Sequence, residues 1–127
     1  MVKDRGKDKL TCDWVYGDKV EGENRVWIVK SICRDDGMPE QQFADVIPET
    51  VGMGVEIDGK WWFEGDIFNL GDPNIKYQVV WNDIAIMGKQ IGSSSYIGLS
   101  FWNKIMTLVG NKWDNPELLG GQNEPRD

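Results

Sequence analysis

Two acidic side chains flank a glycine in the segment Phe63-Glu64-Gly65-Asp66, and they are the residues best placed to do chemistry. A pair of carboxylates can act as general acid and base, or can bind a divalent metal together with Asp83. The alternative is structural: Gly65 adopts a positive φ in a tight turn, and Asp66 accepts hydrogen bonds from backbone N–H groups. We favour the turn, because paired catalytic carboxylates need a third element and the sequence offers none.

The composition removes most other reaction classes. The 127 residues include no histidine, which excludes Ser–His and Cys–His nucleophile systems. Cys12 and Cys33 form no CxxC pair and have no neighbouring base, so we expect reduced thiols, with a disulfide as the alternative. The Gly-Ser-Ser-Ser run at 92–95 lacks the GxxxxGK[ST] pattern and is interpreted as a loop. We therefore predict a protein that is not an enzyme and that uses no cofactor and no metal.

Tryptophan is the unusual residue of the chain, with seven copies. Trp61 and Trp62 are neighbours in a predicted strand, so their side chains point to opposite faces and only one enters the core. The other is covered by the N-terminal part of the chain, by a partner subunit or by a ligand. Exposed aromatic side chains anchor protein interfaces or stack on bases. We name Trp61, Trp62 and Trp102 as the candidate interaction surface.

Short β-strands separated by tight turns must position these residues. Asp58-Gly59 lies between two β-forming segments and predicts a two-residue hairpin, in which both central residues need a positive φ. Residues 75–81 alternate between two faces and predict the best strand. Asn115 and Pro116 predict the N-cap and the first position of a short C-terminal helical turn.

The spacing of strands and turns divides the chain into four parts. We expect a mobile N-terminus over 1–12, an N-terminal subdomain over 13–49 with a polar loop at 34–42, a β-barrel over 50–119 and a disordered tail over 120–127. Short strands every 8–12 residues favour a small barrel or sandwich, and an SH3-like barrel fits about five strands in 50–119.

Charge is distributed unevenly along the chain, whose net charge is −7. Residues 13–66 contribute thirteen acids and five bases, whereas residues 67–113 contribute two acids and four bases. An acidic protein is a poor generic DNA binder, although the mildly basic later segment keeps a nucleic-acid contact as an alternative. No apolar run approaches the ~20 residues of a membrane span, and the charged N-terminus does not resemble a signal peptide. We expect a cytoplasmic protein.

Three segments of the chain form a specific pattern through their order and spacing. The first is Trp-Val-Tyr-Gly-Asp at 14–18. The second is Val-Ile-Pro-Glu-Thr-Val-Gly at 46–52, followed by Gly-Lys at 59–60 and Phe-Glu-Gly-Asp-Ile at 63–67. The third is Val-Gly-Asn at 109–111 with Asp-Asn-Pro-Glu-Leu-Leu at 114–119. Together they resemble the YopX protein family, small proteins met mostly in phages and prophages.

The resemblance implies an overall α+β protein that is mainly β, with an N-terminal α+β part and a C-terminal SH3-like β-barrel. It also implies a phage or prophage origin in a bacterial host cell. It carries over no catalytic residue. The segment 53–59 departs from the family's longer and more charged turn.

These features together predict a non-enzymatic binding or interaction protein that acts through protein contacts or as a homo-oligomer. One alternative is a nucleic-acid-associated barrel that uses an exposed tryptophan. The other is a carboxylate- and metal-dependent enzyme built on Glu64, Asp66 or Asp83. Gly59, Glu64, Gly65, Asp66, Asn115 and Pro116 are assigned to turns and a helix cap.

Overall fold

The computed structural model of the chain describes residues 2–82 and 85–119, which form a mainly β fold. Asp83 and the tail 120–127 lie outside the described residues. The strands and the helix α1 within these ranges are β1 (Val2–Asp8), β2 (Trp14–Glu21), β3 (Val26–Cys33), β4 (Pro39–Ile57), β5 (Lys60–Phe63), β6 (Asp66–Asn69), β7 (Lys76–Asn82), β8 (Ala85–Gln90), β9 (Tyr96–Gly98), α1 (Leu99–Trp102) and β10 (Thr107–Asn111), and residues 117–119 are also helical. No helix in the described ranges is long and apolar enough to cross a bilayer.

The chain divides into two compact units, Met1–Val55 and Glu56–Asp127. In the first unit, four strands pair in a closed ring: β1 with β2, β2 with β3, β3 with β4, and β4 again with β1. β4 serves two neighbours because it is 19 residues long. Val46 is the crossover point, since it pairs with Val26 of β3 and with Asp8 of β1. Along the ring, each of the four strands is paired on both sides, which removes the exposed edges of an open sheet.

The buried apolar residues of the first unit are small in number. Ile28 and Val46 are almost completely buried. Gly6 leaves room for Val46, because a Cβ on Gly6 would lie 3.0 Å from the Val46 Cγ2 atom. Gly17 lets two strands approach closely, because a Cβ there would lie 2.2 Å from the carbonyl oxygen of Val29.

Two expectations for the N-terminal part differ from the structure. Where the sequence led us to expect a mobile segment over 1–12, Val2–Asp8 form β1, which pairs on both sides. Every second residue from Lys3 to Lys7 is charged (Lys3, Arg5 and Lys7). A strand is recognised in a sequence by apolar residues at alternate positions, and β1 lacks them.

The α+β character expected for 13–49 is not seen, because the described residues of this range form strands and turns. The predicted polar loop at 34–42 is shorter than expected: Gly37 donates to the Arg34 carbonyl at 2.9 Å, and β4 begins at Pro39. This part of β4 is exposed on both faces, so its sequence lacks the alternation that marks a half-buried strand.

The second unit contains a five-stranded antiparallel sheet with the strand order β10-β6-β7-β8-β9. The hairpin between β4 and β5 has the predicted turn, with φ of +50° at Asp58 and +84° at Gly59. Instead of one clean barrel over 50–119, the strands form two sheets, and the expected boundary at residue 50 falls inside β4. Because β4 continues through residue 50 without a turn or a change in composition, the sequence does not reveal where the first unit ends.

An aromatic and aliphatic core lies in the second unit. Its buried members are Trp62, Phe68, Val79, Leu99 and Met106. Trp62 meets Phe68 edge to face at 5.7 Å between ring centroids.

Candidate functional site

The Glu64-Gly65-Asp66 segment forms a tight turn. Gly65 has a φ of +94°, and a Cβ there would lie 2.2 Å from the ring of Trp113. Asp66 is 4% exposed, and its Oδ2 accepts a hydrogen bond from the backbone N–H of Phe63 at 2.8 Å. These are the positive φ and the backbone acceptor that the structural interpretation expected. The described residues contain no group of three or more His, Cys, Asp or Glu side chains placed to bind a metal ion.

The segment 46–52 forms an irregularity in β4 where β1 crosses it. Arg5 pairs with Gly52 but Lys7 pairs with Ile47, so extra residues of β4 bulge out between these two pairs. Thr50 fixes the bulge: its Oγ1 accepts from the Lys7 N–H at 2.9 Å and donates to the Ile47 carbonyl at 2.6 Å. The segment therefore holds the ring closed.

The segment 14–18 lies on β2, next to a row of cations on β1. The Arg5 guanidinium lies 4.2 Å from the centroid of the Trp14 ring, and the Lys7 Nζ lies 5.5 Å from it. The Lys3 Nζ lies 5.5 Å from the Tyr16 ring centroid. Cations over aromatic faces are attracted by the ring quadrupole, which stabilises the pairing of β1 with β2.

The third segment forms a turn after β10. Asn111 Oδ1 accepts from the N–H groups of Trp113 and Asp114 at 3.0 and 2.9 Å. The predicted N-cap differs in detail, because the Asn115 Oδ1 accepts from the Asn111 N–H at 3.2 Å. The Asn115 backbone carbonyl instead accepts from Leu118 N–H at 3.0 Å, and residues 117–119 are helical with Pro116 just before them. All three segments therefore carry structural interactions.

The tryptophans of the candidate interaction surface are less accessible than expected. Trp62 is 2% exposed, so it belongs to the core and does not offer a surface to a partner. Trp61 and Trp102 are both half-buried. Trp61 stacks on Phe63 at 5.7 Å, in keeping with their positions on one face of β5. The strand alternation separated Trp61 from Trp62, but only the structure shows which of them is inside.

The most exposed aromatic side chain of the second unit is Phe101, at 80%. It meets Trp102 edge to face at 5.0 Å between ring centroids. The sequence of 101–106 is ambiguous between strand and helix. Leu99, Asn103 and Met106 are buried and are spaced four and three residues apart. This is the spacing of residues on one side of a helix, and it could have indicated the helical turn.

Three exposed residues lie on the opposite side of this helical turn: Phe101, Lys104 and Ile105. Ile105 donates to the Trp102 carbonyl at 3.0 Å, so the turn continues past the end of α1. Asn103 fixes the turn from the inside, because its Nδ2 donates to the Asp58 carboxylate at 3.2 Å. The outward face is therefore presented by a fixed backbone.

β10 follows this turn directly and ends the described sheet on one side. Leu108 and Val109 of β10 are exposed, Leu108 at 58%. We call the exposed residues of this region the α1–β10 surface: Phe101, Lys104, Ile105, Leu108 and Val109. Residues 84–113 contain three lysines and no acid. The surface is thus largely apolar, with Lys104 as its charged member and the exposed Asp58 carboxylate, bonded to Asn103, beside it.

The first unit presents a different exposed feature, which we call the hairpin arm (residues 30–43). β2 pairs with β3 only as far as Val29, and β1 pairs with β4 only from Val46 onward. Between these limits, β3 and β4 pair only with each other among the described strands. Every residue of the arm except Ile32 is exposed.

The tip of the arm combines acids with an apolar side chain. Met38 is 56% exposed. Arg34 is neutralised by Asp36 at 3.1 Å, and Asp36 Oδ1 also accepts from the Met38 N–H at 3.0 Å. Asp35 and Glu40 are exposed acids of the same tip.

A groove of about 480 Å³ runs along the base of the arm and is lined by Asp8, Val15, Tyr16, Ile28, Lys30, Glu40, Gln41, Gln42, Phe43 and Ala44.

Taken together, these features define a mainly β protein with a closed ring of four strands followed by a five-stranded sheet. The fold is similar to the solved structure of protein YopX from Bacillus subtilis, with a TM-score of 0.51 and 18% sequence identity over 92% of this chain and 95% of that one. The predicted resemblance to YopX is thus confirmed for the fold. No protein-family model matches the chain, and no curated protein matches it significantly.

Proposed function

We propose that this chain is a non-enzymatic interaction protein, encoded by a phage or prophage, that acts through protein contacts in the bacterial cytoplasm. The observation that carries the proposal is the α1–β10 surface. Phe101 is mostly exposed on a turn held by the hydrogen bonds of Asn103 and Ile105, and exposed aromatic residues are typical anchors of protein interfaces.

The acidic groups that would serve an enzyme support the same conclusion. Asp66 accepts a backbone hydrogen bond within the turn, and Gly65 packs against Trp113. A catalytic carboxylate needs access to substrate, whereas Asp66 is almost completely buried. We therefore propose no cofactor and no metal for this segment.

We infer that β6 to β10 correspond to the SH3-like barrel expected from the sequence. The strand order, in which a meander of four strands is followed by a short helix and a last strand that returns to the first, supports this inference. SH3-like barrels serve many binding functions, so the fold alone does not select a partner.

The interaction function is tested with three purified proteins: wild type, Phe101→Ser and Leu10→Ser. Leu10 is 93% exposed in the first unit and provides a matched loss of one apolar side chain outside the α1–β10 surface. We expect self-assembly in light scattering, or a partner in a bacterial lysate pull-down, that is lost in Phe101→Ser and kept in Leu10→Ser. A protein that stays monomeric and recovers no partner contradicts the proposal.

A nucleic-acid-associated module is the second candidate. Three lysines without acids over 84–113, and exposed aromatic rings at Tyr96 and Phe101, are the features that favour it. Bases stack on such rings, and lysines neutralise phosphates. Tryptophan fluorescence titrated with single- and double-stranded oligonucleotides at low salt decides the matter, because Trp102 lies against Phe101. An unchanged signal removes this candidate.

A further inference from the structure

We propose that the groove at the base of the hairpin arm binds an extended segment of another protein, which pairs through its main chain with β4. All residues that line the groove belong to the first unit, whereas the α1–β10 surface belongs to the second. The inference therefore adds a second binding site and does not depend on the role proposed for Phe101.

The main chain of β4 faces β1 at alternate residues. The Asp45 carbonyl accepts from the Lys9 N–H at 2.9 Å, so the main-chain groups of Asp45 point to the edge on which β1 lies. Alternate residues of a strand direct their N–H and C=O groups to the same edge. Phe43 and Gln41 therefore present these groups on that edge too, and we call them the outer edge of β4.

β1 ends before it reaches the outer edge. Its pairing with β4 stops at Asp8 with Val46. The chain then turns away, because the Asp8 carbonyl accepts from the Cys12 N–H at 2.9 Å and the Asp8 Oδ1 accepts from the Leu10 N–H at 2.8 Å. Among the described strands, residues 39–43 pair only with β3. The outer edge is thus open where a longer β1 would have continued.

The groove includes this outer edge. Five consecutive residues of β4, 40–44, line it together with Asp8 at the end of β1. Its volume of about 480 Å³ lies within the range of roughly 300–1,000 Å³ that is typical of ligand pockets. An edge strand with open N–H and C=O groups is a template for an added strand. The occupant that fits these groups is an extended polypeptide, because its own N–H and C=O groups repeat at strand spacing.

Two features limit the length of the added strand. At one end, the Asp45 carbonyl is already bonded to Lys9. At the other end, β4 begins at Pro39, which has no main-chain N–H to donate. The outer edge between these limits spans Gln41 and Phe43, which is enough to pair with about three to five residues.

Apolar side chains of the groove define part of the segment's chemistry. Val15 and Ile28 line the groove, and so do the rings of Tyr16 and Phe43, which are 39% and 59% exposed. Side chains of an added strand alternate between its two faces. We therefore expect apolar residues at alternate positions of the segment.

Charge defines the rest. Asp8, Lys30 and Glu40 are the charged residues that line the groove. Because two acids face one base, a segment that carries a basic residue complements the groove. The partner is thus a short extended segment with alternating apolar side chains and a basic residue.

The test selects peptides from a random heptapeptide library displayed on phage, with the full chain as the immobilised target. The selected peptides are synthesised and titrated against the protein by fluorescence anisotropy. Gln41→Pro removes one N–H of the outer edge and keeps the pairing with β3, so we expect it to weaken binding about tenfold or more. Ser31→Pro is the matched control: Ser31 is paired with Gln41, and its N–H lies on the opposite edge of the arm, so this variant should bind like wild type.

A second measurement needs no variant of the protein. Each main-chain N–H of a selected peptide is methylated in turn. Because a strand presents alternate N–H groups to its neighbour, affinity should fall at every second position and persist at the others. Hydrogen exchange at the Gln41 and Phe43 amides of wild type should slow when the peptide is bound. Circular dichroism checks that both proline variants are folded, and the methylation series decides the matter if one is not.

Three results overturn the inference: a library that yields no peptide that binds the full chain, peptides that bind Gln41→Pro as tightly as wild type, or methylation that lowers affinity without alternation. Self-association of wild type that Gln41→Pro abolishes in sedimentation velocity also overturns it, because the occupant is then a second copy. Phe101→Ser should bind the selected peptides like wild type, so this inference and the proposed function fail separately.

Discussion

The two units bury apolar side chains of different size. In the first unit, the buried apolar residues are Ile28 and Val46, with the polar residues Arg5 and Thr50 buried beside them. The second unit also buries polar residues (Asp66, Asn69 and Asn103), but Trp62 and Phe68 lead a core of larger side chains. The first unit therefore depends on the closure of its hydrogen-bonded ring, and the second depends on burial of aromatic surface.

The same contrast appears at the surface. Each unit has one conspicuous exposed region, the hairpin arm in the first and the α1–β10 surface in the second. The arm tip has an excess of acids, whereas the second region is largely apolar and has Lys104 and the exposed Asp58 as its neighbouring charges. The sequence segments that resemble YopX build the ring, the turn at Gly65 and the turn after β10. Residues 99–106, which include most of the α1–β10 surface, lie outside those segments.

The largest expected effect tests the core of the second unit. Trp62→Ala removes a side chain that is 2% exposed, and we expect the free energy of unfolding to fall by about 4 kcal/mol. Trp61→Ala is the matched control, because Trp61 is half-buried, and it should cost about 1–2 kcal/mol. Denaturant unfolding followed by circular dichroism measures both. Equal losses would show that the two tryptophans share the core.

The turn at Gly65 provides the next effect. Gly65→Ala forces a Cβ into the Trp113 ring at a positive φ, and we expect a loss of about 3 kcal/mol. Gly59→Ala has a similar φ with open space around it, so it should cost about 1 kcal/mol. The difference in unfolding free energy isolates the steric contribution. A Gly65 variant as stable as the Gly59 variant would mean that Trp113 moves away freely.

The ring of the first unit is tested at Thr50. Thr50→Val keeps the shape but removes the hydroxyl that joins Lys7 to Ile47, and we expect a loss of about 2 kcal/mol. Thr11→Val changes an exposed threonine in a turn of the same unit and should cost about 0.5 kcal/mol. Hydrogen exchange at the Lys7 amide reports the site directly. An unchanged exchange rate would rule out Thr50 as the residue that fixes the bulge.

The smallest expected effect on stability is at Phe101. Phe101→Ser removes a side chain that is 80% exposed, so the unfolding free energy should change by less than about 0.5 kcal/mol. A thermal melt beside Leu10→Ser checks this. A large loss would assign Phe101 to the structure and not to a contact.

Short sequence patterns predicted those turns and strands whose conformation depends on residues next to each other in the chain. Asp58-Gly59 formed a hairpin because only two residues set its geometry. Gly65 and Asp66 formed a turn for the same reason. β7 was predicted from the alternation of residue types over 75–81, and Val79 within it is buried.

Other features depend on residues far apart in the sequence. The closure of the ring joins Val2–Asp8 to β4 far along the sequence, as in the pair Arg5 with Gly52. The inward side of Trp62 is decided by Phe68 in another strand. The α1–β10 surface was missed because its exposed residues are recognised only after the buried side of the turn is known.

The central claim is that Phe101 serves contacts between molecules while the YopX-like segments serve the fold. Sedimentation velocity of wild type and Phe101→Ser over a concentration series, with melts of the same samples, tests it most directly. The account predicts that wild type self-associates or recovers a partner from a bacterial lysate, and that Phe101→Ser does neither at an unchanged melting temperature. Identical sedimentation of the two proteins, together with identical lysate pull-downs, would contradict it.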